Sequence, residues 1–174
     1  MDDMFHTIFT ISNHQALKPL ILDEIEKFEN SSIYEKSSTI TKTDWNIPFE
    51  VPRTYFKHLQ PFINDEYLEF VRYLGGVAAT VRINNVWFQQ YYNTDSHYTH
   101  CHPGTHFTNI YYVELPHKFQ STEIYDPVSK QFFSWDVNEG DILTMPAYYP
   151  HRSPKNTSND RKTVVVFNSC LEIK

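Results

Sequence analysis

Glycine and methionine are scarce in this sequence, with 4 and 3 copies among 174 residues, and only 2 cysteines are present. Two cysteines, Cys101 and Cys170, cannot form the framework of a disulfide-built secreted scaffold. Free thiols in a reducing cytoplasm are the expectation. No apolar run approaches the roughly 20 residues of a membrane span. The opening Met-Asp-Asp-Met is acidic where a secretory signal would be basic. Positive charge is short too: 15 Lys and Arg against 21 Asp and Glu leave a net charge of −6. Sequence-independent nucleic-acid binding needs clustered basic residues, so it is disfavoured.

Aromatic residues are what the chain has in excess: 13 Phe, 12 Tyr and 3 Trp make up 16%. A chain of this length fits one domain spanning 1–174 and can bury a core without staples. So many rings suggest a wide interior of the kind a β-barrel or sandwich encloses.

The texture changes near residue 80. Before it, residues 1–80 read as helix and loop supporting a β core over 81–174. Leu17, Ile21, Ile25 and Phe28 have helical spacing, with Pro19 placed near the helix start. Ile63, Tyr67, Phe70, Val71 and Leu74 repeat that spacing before Gly75 and Gly76 stop it. A short helix after Pro52 would carry Tyr55, Phe56 and Leu59, and residues 39–43 suit an edge strand. After residue 77, β-branched and aromatic runs alternate with turn signals such as Pro103-Gly104, Asp126-Pro127 and Asn138-Glu139-Gly140. That pattern predicts an all-β sandwich or barrel.

Histidine is the second excess. Four of the 9, namely His97, His100, His102 and His106, crowd into one short segment. On a strand, His100 and His102 would share a face and Cys101 would point away. Two imidazoles can grip one metal, and a third ligand must come from elsewhere. His151 is the candidate, delivered after a turn, an apolar strand and the corner Pro146-Ala147-Tyr148-Tyr149-Pro150. Imidazoles suit iron, zinc, copper or nickel, so residue type leaves the metal open. His97 and His106 are tied to no partner by position and read as ordinary hydrogen-bonded histidines. Arg161 and Thr163 would share a face of a later strand. An inward Arg wants a carboxylate, which suggests a small acid as ligand or cosubstrate.

From Asn85 to Asn168 the chain resembles the 2-oxoglutarate/iron(II)-dependent oxygenases, and is most similar to the branch common in marine bacteria and their phages. The residues that carry the resemblance are Trp87, Tyr91, His100-Cys101-His102-Pro103, Ile110-Tyr111-Tyr112-Val113, Asp126-Pro127, Gly140, Pro146, His151, Asn156, Arg161 and Phe167-Asn168. The resemblance implies a mainly β fold, a double-stranded β-helix of jelly-roll or cupin-like form with N-terminal helices packed on one sheet. It implies iron(II) and 2-oxoglutarate as cofactors in a bacterial or phage-infected cytoplasm. His100 and His151 would ligate iron, and Arg161 would hold the distal carboxylate of 2-oxoglutarate with Thr163 and Tyr91 assisting. The reaction implied is hydroxylation coupled to oxidative decarboxylation of 2-oxoglutarate.

One departure from the family pattern matters. Its usual site has a carboxylate two positions after the first histidine, and this chain has His102 there. The set would then be His100, His102 and His151, all neutral, unless Glu123 or Asp126 contributes an acid. Val128 also stands where related chains often carry Arg. Two other readings stay open. One is a cupin-type metal dioxygenase or isomerase with a histidine-only site, which His106 could join and which does not need Arg161 inside. The other is a non-catalytic barrel that binds a ligand or serves as a virion accessory. A small molecule or a peptide would be the substrate, with no nucleic acid and no membrane as partner, and exposed aromatic surface would favour a homodimer.

Overall fold

A computed structural model of the chain describes residues 4–28, 39–48, 50–63 and 79–173. The expected helix from Ile63 to Leu74 and its glycine stop lie almost wholly outside the described residues. Ten strands are described: β1 (Thr7–Thr10), β2 (Lys42–Thr43), β3 (Ala79–Tyr91), β4 (His97–His100), β5 (Phe107–Glu114), β6 (Glu123–Asp126), β7 (Gln131–Phe133), β8 (Asp141–Pro146), β9 (His151–Ser153) and β10 (Lys162–Ile173). They form two antiparallel sheets. The larger has the order β1-β8-β5-β10-β3-β2 and the smaller β4-β9-β6-β7. Two facing sheets of this connectivity are a double-stranded β-helix.

The larger sheet is buried on both faces, and the sequence shows why. Val164, Val165, Val166 and Phe167 of β10 form a continuous apolar run, which a strand with one wet face would not have. Its even members, Val164 and Val166, meet Trp87, Tyr91, Ile110, Tyr112 and Ile124 between the sheets. Its odd members, Val165 and Phe167, meet helical side chains on the outside.

Those outer side chains come from the N-terminal part. Helix α1 (His14–Glu26) buries His14, Leu17, Ile21 and Ile25, as the spacing predicts. A second helical segment over 56–63 adds Phe56, Leu59 and Ile63 beside Tyr55. Each fully buried aliphatic side chain contributes about 1.5–3 kcal/mol. Two expectations are corrected here. Helix α1 starts at His14, so Pro19 lies inside it rather than at its first turn. The first eighty residues, expected to add only the edge strand over 39–43 that β2 bears out, also supply β1, and the two form the edges of the larger sheet. Both cysteines are free, Cys101 exposed and Cys170 buried. No helix among the described residues is long and apolar enough to cross a membrane.

Candidate metal centre

The inner face of β3 and β10 organises the site. Their antiparallel register sets Lys162 opposite Tyr91, Val164 opposite Gln89, Val166 opposite Trp87 and Asn168 opposite Asn85. Alternation turns this set toward the smaller sheet. The histidines arrive from that sheet. Strands β4 and β9 pair His100 with His151. His102 lies just past the end of β4, where its N–H donates to the Ala147 carbonyl at 2.9 Å. The Pro103-Gly104 turn follows, with Gly104 at φ +78°. His102 thus sits outside β4 yet beside His100, as the spacing predicts, held by its backbone bond to Ala147.

The ligand atoms of His100, His102 and His151 lie within 4.8 Å of one another. His100 Nδ1–H donates to the Tyr98 carbonyl, and His151 Nδ1–H donates to the Tyr149 carbonyl, each at 2.8 Å. Both bonds fix the tautomer and make Nε2 the nitrogen that carries the lone pair, as outer partners do for metal-binding histidines. His102 Nε2 lies 3.3 Å from His151 Nε2. Such a nitrogen pair needs a proton or a cation between its lone pairs. Two imidazoles bound to one ion at about 2.0–2.1 Å would stand roughly 3 Å apart. The donor set fits a divalent transition metal.

Burial keeps His102 and His151 neutral. It lowers His102 to about 4, helped by His100. It pushes His151 well below the ordinary value, with the neighbouring His100 adding to the effect. His97, tied to no partner in the sequence, is also part of this group: its ring centroid is 4.1 Å from that of His100. Burial, followed by the neighbouring His100 and His102, lowers it to about 3. Gln89 holds it in place. The Tyr91 hydroxyl donates to Gln89 Oε1 at 2.8 Å, which turns the Gln89 amide N–H toward His97 Nδ1 at 3.4 Å. His106 stays outside the cluster, with its Nδ1 accepting the Leu171 N–H at 2.9 Å.

No carboxylate joins the three histidines among the described residues. Glu123 accepts from Arg152 Nε at 2.6 Å. Asp126 is occupied by the Val128 N–H and the Ser129 hydroxyl.

Arg161 and Thr163 are placed differently from the sequence expectation. Arg161, one residue before β10, and Thr163 within it both lie on the outer side, against Glu114. Arg161 binds both oxygens of Glu114, at 2.7 and 3.1 Å, and Glu26 at 3.0 Å. The Thr163 hydroxyl donates to the same Glu114 carboxylate. The inward cation is the next residue. Lys162 is 2% exposed, donates to Ser153 Oγ at 2.9 Å and lies 5.0 Å from the centre of the Tyr91 ring. Burial lowers its ammonium to about 7, against the weak opposing pull of Glu123. Among the described residues no carboxylate pairs with it. Tyr91, expected beside the cosubstrate, does face inward next to it.

Two spaces adjoin the histidines. A small cavity of about 20 Å³ lies between them and Lys162, Tyr91 and Ser153. That is room for a water, not a dicarboxylate, so seating one would require these side chains to part. On the outer side an open cleft of about 580 Å³ is lined by Trp45, Trp87, Asn85, Gln89, Asn168 and the histidines among others. Trp87 packs against both His102, at 5.5 Å between centroids, and Trp45, at 4.7 Å.

No protein-family model matches the chain, and no curated protein matches it in sequence. Solved structures do match in fold. An oxidoreductase of the 2-oxoglutarate/iron(II) oxygenase family from Burkholderia pseudomallei superposes with a TM-score of 0.70 at 10% identity, covering 95% of this chain and 85% of that one. A viral collagen prolyl hydroxylase from Paramecium Bursaria Chlorella virus-1, solved as a 2-oxoglutarate complex, gives a TM-score of 0.60 at 15% identity, over 99% and 98%. The non-heme α-ketoglutarate-dependent epimerase SnoN of nogalamycin biosynthesis gives 0.71 at 10% identity, over 95% and 76%. The two-sheet architecture, with its histidine cluster between the sheets, is thus the double-stranded β-helix fold of the 2-oxoglutarate/iron(II) oxygenases.

Proposed function

We propose that this chain is a 2-oxoglutarate- and iron(II)-dependent oxygenase that hydroxylates a small-molecule or peptide substrate. His100, His102 and His151 would hold the iron, and Lys162, not Arg161, would receive the distal carboxylate of 2-oxoglutarate. The observation that carries this reading is the pairing of three convergent imidazoles with a buried ammonium that has no carboxylate of its own. A buried cation without a counter-ion is costly to keep unless an anion comes to it.

When bound, iron(II) and 2-oxoglutarate would supply the means to activate dioxygen, which is the oxidant, with the oxo acid giving two electrons as it is decarboxylated to succinate. The protein's part is orientation and exclusion of water. The carbonyls of Tyr98 and Tyr149 aim the lone pairs of His100 and His151. Ser153 aims the Lys162 ammonium. Trp87 closes one wall beside His102. The three ligands are neutral, so they leave a bound dication uncompensated and favour an anionic co-ligand.

An anaerobic titration with iron(II) and 2-oxoglutarate tests the reading through the visible charge-transfer absorbance of the chelate. Wild type should develop the band. His102→Ala should lose it. Lys162→Ala should need about 10–100-fold more 2-oxoglutarate, the value of one charge-assisted bond to a buried group. Arg161→Ala should behave as wild type. The absence of a carboxylate ligand among the described residues favours a second reading, a cupin-type dioxygenase that works without 2-oxoglutarate. Iron binding with no response to 2-oxoglutarate would select it. No metal binding at all would leave the cluster structural and end both readings.

A further inference from the structure

Resting on the oxygenase reading of the metal centre, we propose that the cleft beside it binds a neutral sugar ring as substrate. Four observations lead there. First, no Asp, Glu, Lys or Arg lines the cleft among the described residues. An ionic group bound there would lose water without gaining a counter-ion. Nucleotides, which bring phosphate, are disfavoured on that ground.

Second, the cleft offers a rigid aromatic platform. Trp45 is 49% exposed, an unusual state for the largest side chain, and its ring abuts Trp87. The loop that carries it is clamped from beneath. Buried Asp44 accepts the Phe88 N–H at 2.9 Å and the Tyr55 hydroxyl at 2.7 Å, and pairs with Arg53 at 2.8 Å. The Arg53 guanidinium also donates to the carbonyls of Asp44, Ile47 and Val51. A platform held this way loses little freedom when a ligand stacks on it.

Third, beside the histidines, Tyr98 and Cys101, the polar lining is carboxamide: Asn46, Asn85, Gln89 and Asn168. Each amide presents a donor and an acceptor side by side, and a hydroxyl both donates and accepts. Fourth, Asn168 is 6% exposed and its Oδ1 is buried with no hydrogen-bond partner. Asn168 lines the cleft, so a hydroxyl of a ligand there could supply the missing donor. A prolyl ring could stack on Trp45, but the ring itself brings no N–H or O–H for Asn168 Oδ1. A pyranose supplies both a C–H face for the indole and hydroxyl donors for the amides. His100 and His102 share the cleft wall, so the ring would lie beside the metal centre.

Tryptophan fluorescence of the metal-free protein provides the test, because it needs neither iron nor 2-oxoglutarate. The probes are the methyl glycosides of glucose, galactose and mannose, with glucosamine, glucuronate, adenosine monophosphate and a Pro-Pro-Gly peptide for comparison. At least one neutral glycoside should give a saturable change in the millimolar range. Trp45→Ala should weaken it roughly two- to tenfold, the worth of one ring stack. Asn168→Leu should weaken it about tenfold, and Asn168→Asp should shift preference toward glucosamine. Trp45 is exposed, so its variant decides the matter even if the Asn168 variants fold poorly. The proposal falls if no glycoside saturates, if the peptide or the nucleotide binds more tightly than all of them, or if Trp45→Ala changes nothing. Sugar binding without the charge-transfer band would overturn the oxygenase reading alone. The band without sugar binding would overturn this one alone.

Discussion

A lysine ammonium enclosed between Tyr91, Tyr112 and Ser153 carries a desolvation cost that one hydroxyl does not offset. Lys162→Met keeps most of the volume and removes the charge. We expect the ligand-free protein to gain on the order of 2 kcal/mol, while any stabilisation by added 2-oxoglutarate disappears. The pH dependence follows from the lowered ammonium. In the unfolded chain the group titrates near its ordinary 10.5, and in the folded chain near 7. Between those values the unfolded state holds more protons, so stability rises with pH. The advantage of Lys162→Met should therefore be full below pH 7 and shrink from there toward 10.5. Urea unfolding of both proteins at pH 6.5 and 9.5 checks this; an advantage that does not shrink would mean the ammonium stays charged. The same residue shows where sequence reading reaches its limit. Period-2 alternation groups Arg161 with Thr163 and Lys162 with Val164, but it does not say which group faces inward. A strand buried on both faces gives no polar side to break the tie, and a shift of one residue exchanges the two. An inward cation was therefore legible at this point of the chain, but one position early. His100 was legible from its spacing with His102, and His151 from the turn, apolar strand and Pro-rich corner before it; β4 and β9 pair the two directly. His102 was found by spacing, although it lies just past the end of β4 and is held there by its backbone bond to Ala147.

At the scale of elements, the contact between α1 and the turn before β8 depends on an absent side chain. Gly140 has φ +93°, and a Cβ there would meet His14 Cγ at 3.0 Å. His14 cannot easily yield, because its Nδ1 bonds the Tyr111 hydroxyl at 2.6 Å and its Nε2 bonds Glu139 at 3.2 Å. Gly140→Ala thus combines a disfavoured backbone with a clash at the first residue of α1. A loss of about 1–3 kcal/mol is expected, roughly 2–10 °C in melting temperature for a chain of this size. Differential scanning calorimetry would register it, and an unchanged midpoint would mean that α1 can shift away from the turn. The turn was visible in the sequence as Asn138-Glu139-Gly140, but its partner was not: His14 is distant in sequence and carries no motif. Strand β1 was missed for a related reason. Four residues, Thr7–Thr10, alternate in burial. So short a stretch is not distinguishable from loop until Thr7–Thr10 is seen paired with Asp141–Thr144 of β8. The face of α1 was legible because Leu17, Ile21 and Ile25 repeat over successive turns, a stripe that strand alternation does not produce.

For the whole molecule, the larger sheet acts as a partition between a core that stabilises and a core that works. On its outer side Phe167 and Val165 lie against Phe56, Leu59, Ile21 and Ile25. On its inner side Val166 and Val164 line the small cavity with the histidines and Lys162. Neighbours on one strand should therefore fail in different ways. Phe167 is fully buried and its ring lies 5.6 Å from that of Phe56. Phe167→Ala should cost about 3–5 kcal/mol, yet at a temperature where the variant is folded it should bind metal as wild type does. Val166→Ala removes fewer atoms and should cost about 1–2 kcal/mol. It enlarges the inner cavity, where there is now room for little more than a water. That change should alter affinity for 2-oxoglutarate while the melting temperature moves only a few degrees. Urea unfolding paired with the anaerobic iron titration separates the two effects. If Phe167→Ala weakened metal binding as much as Val166→Ala at matched folded fraction, the sheet would be transmitting strain between its faces, and the partition would not hold. The division follows from the sequence pattern itself. A continuous apolar run such as Val164 to Phe167 must satisfy two surfaces at once, and in β10 one surface is given to the helices and the other to the site.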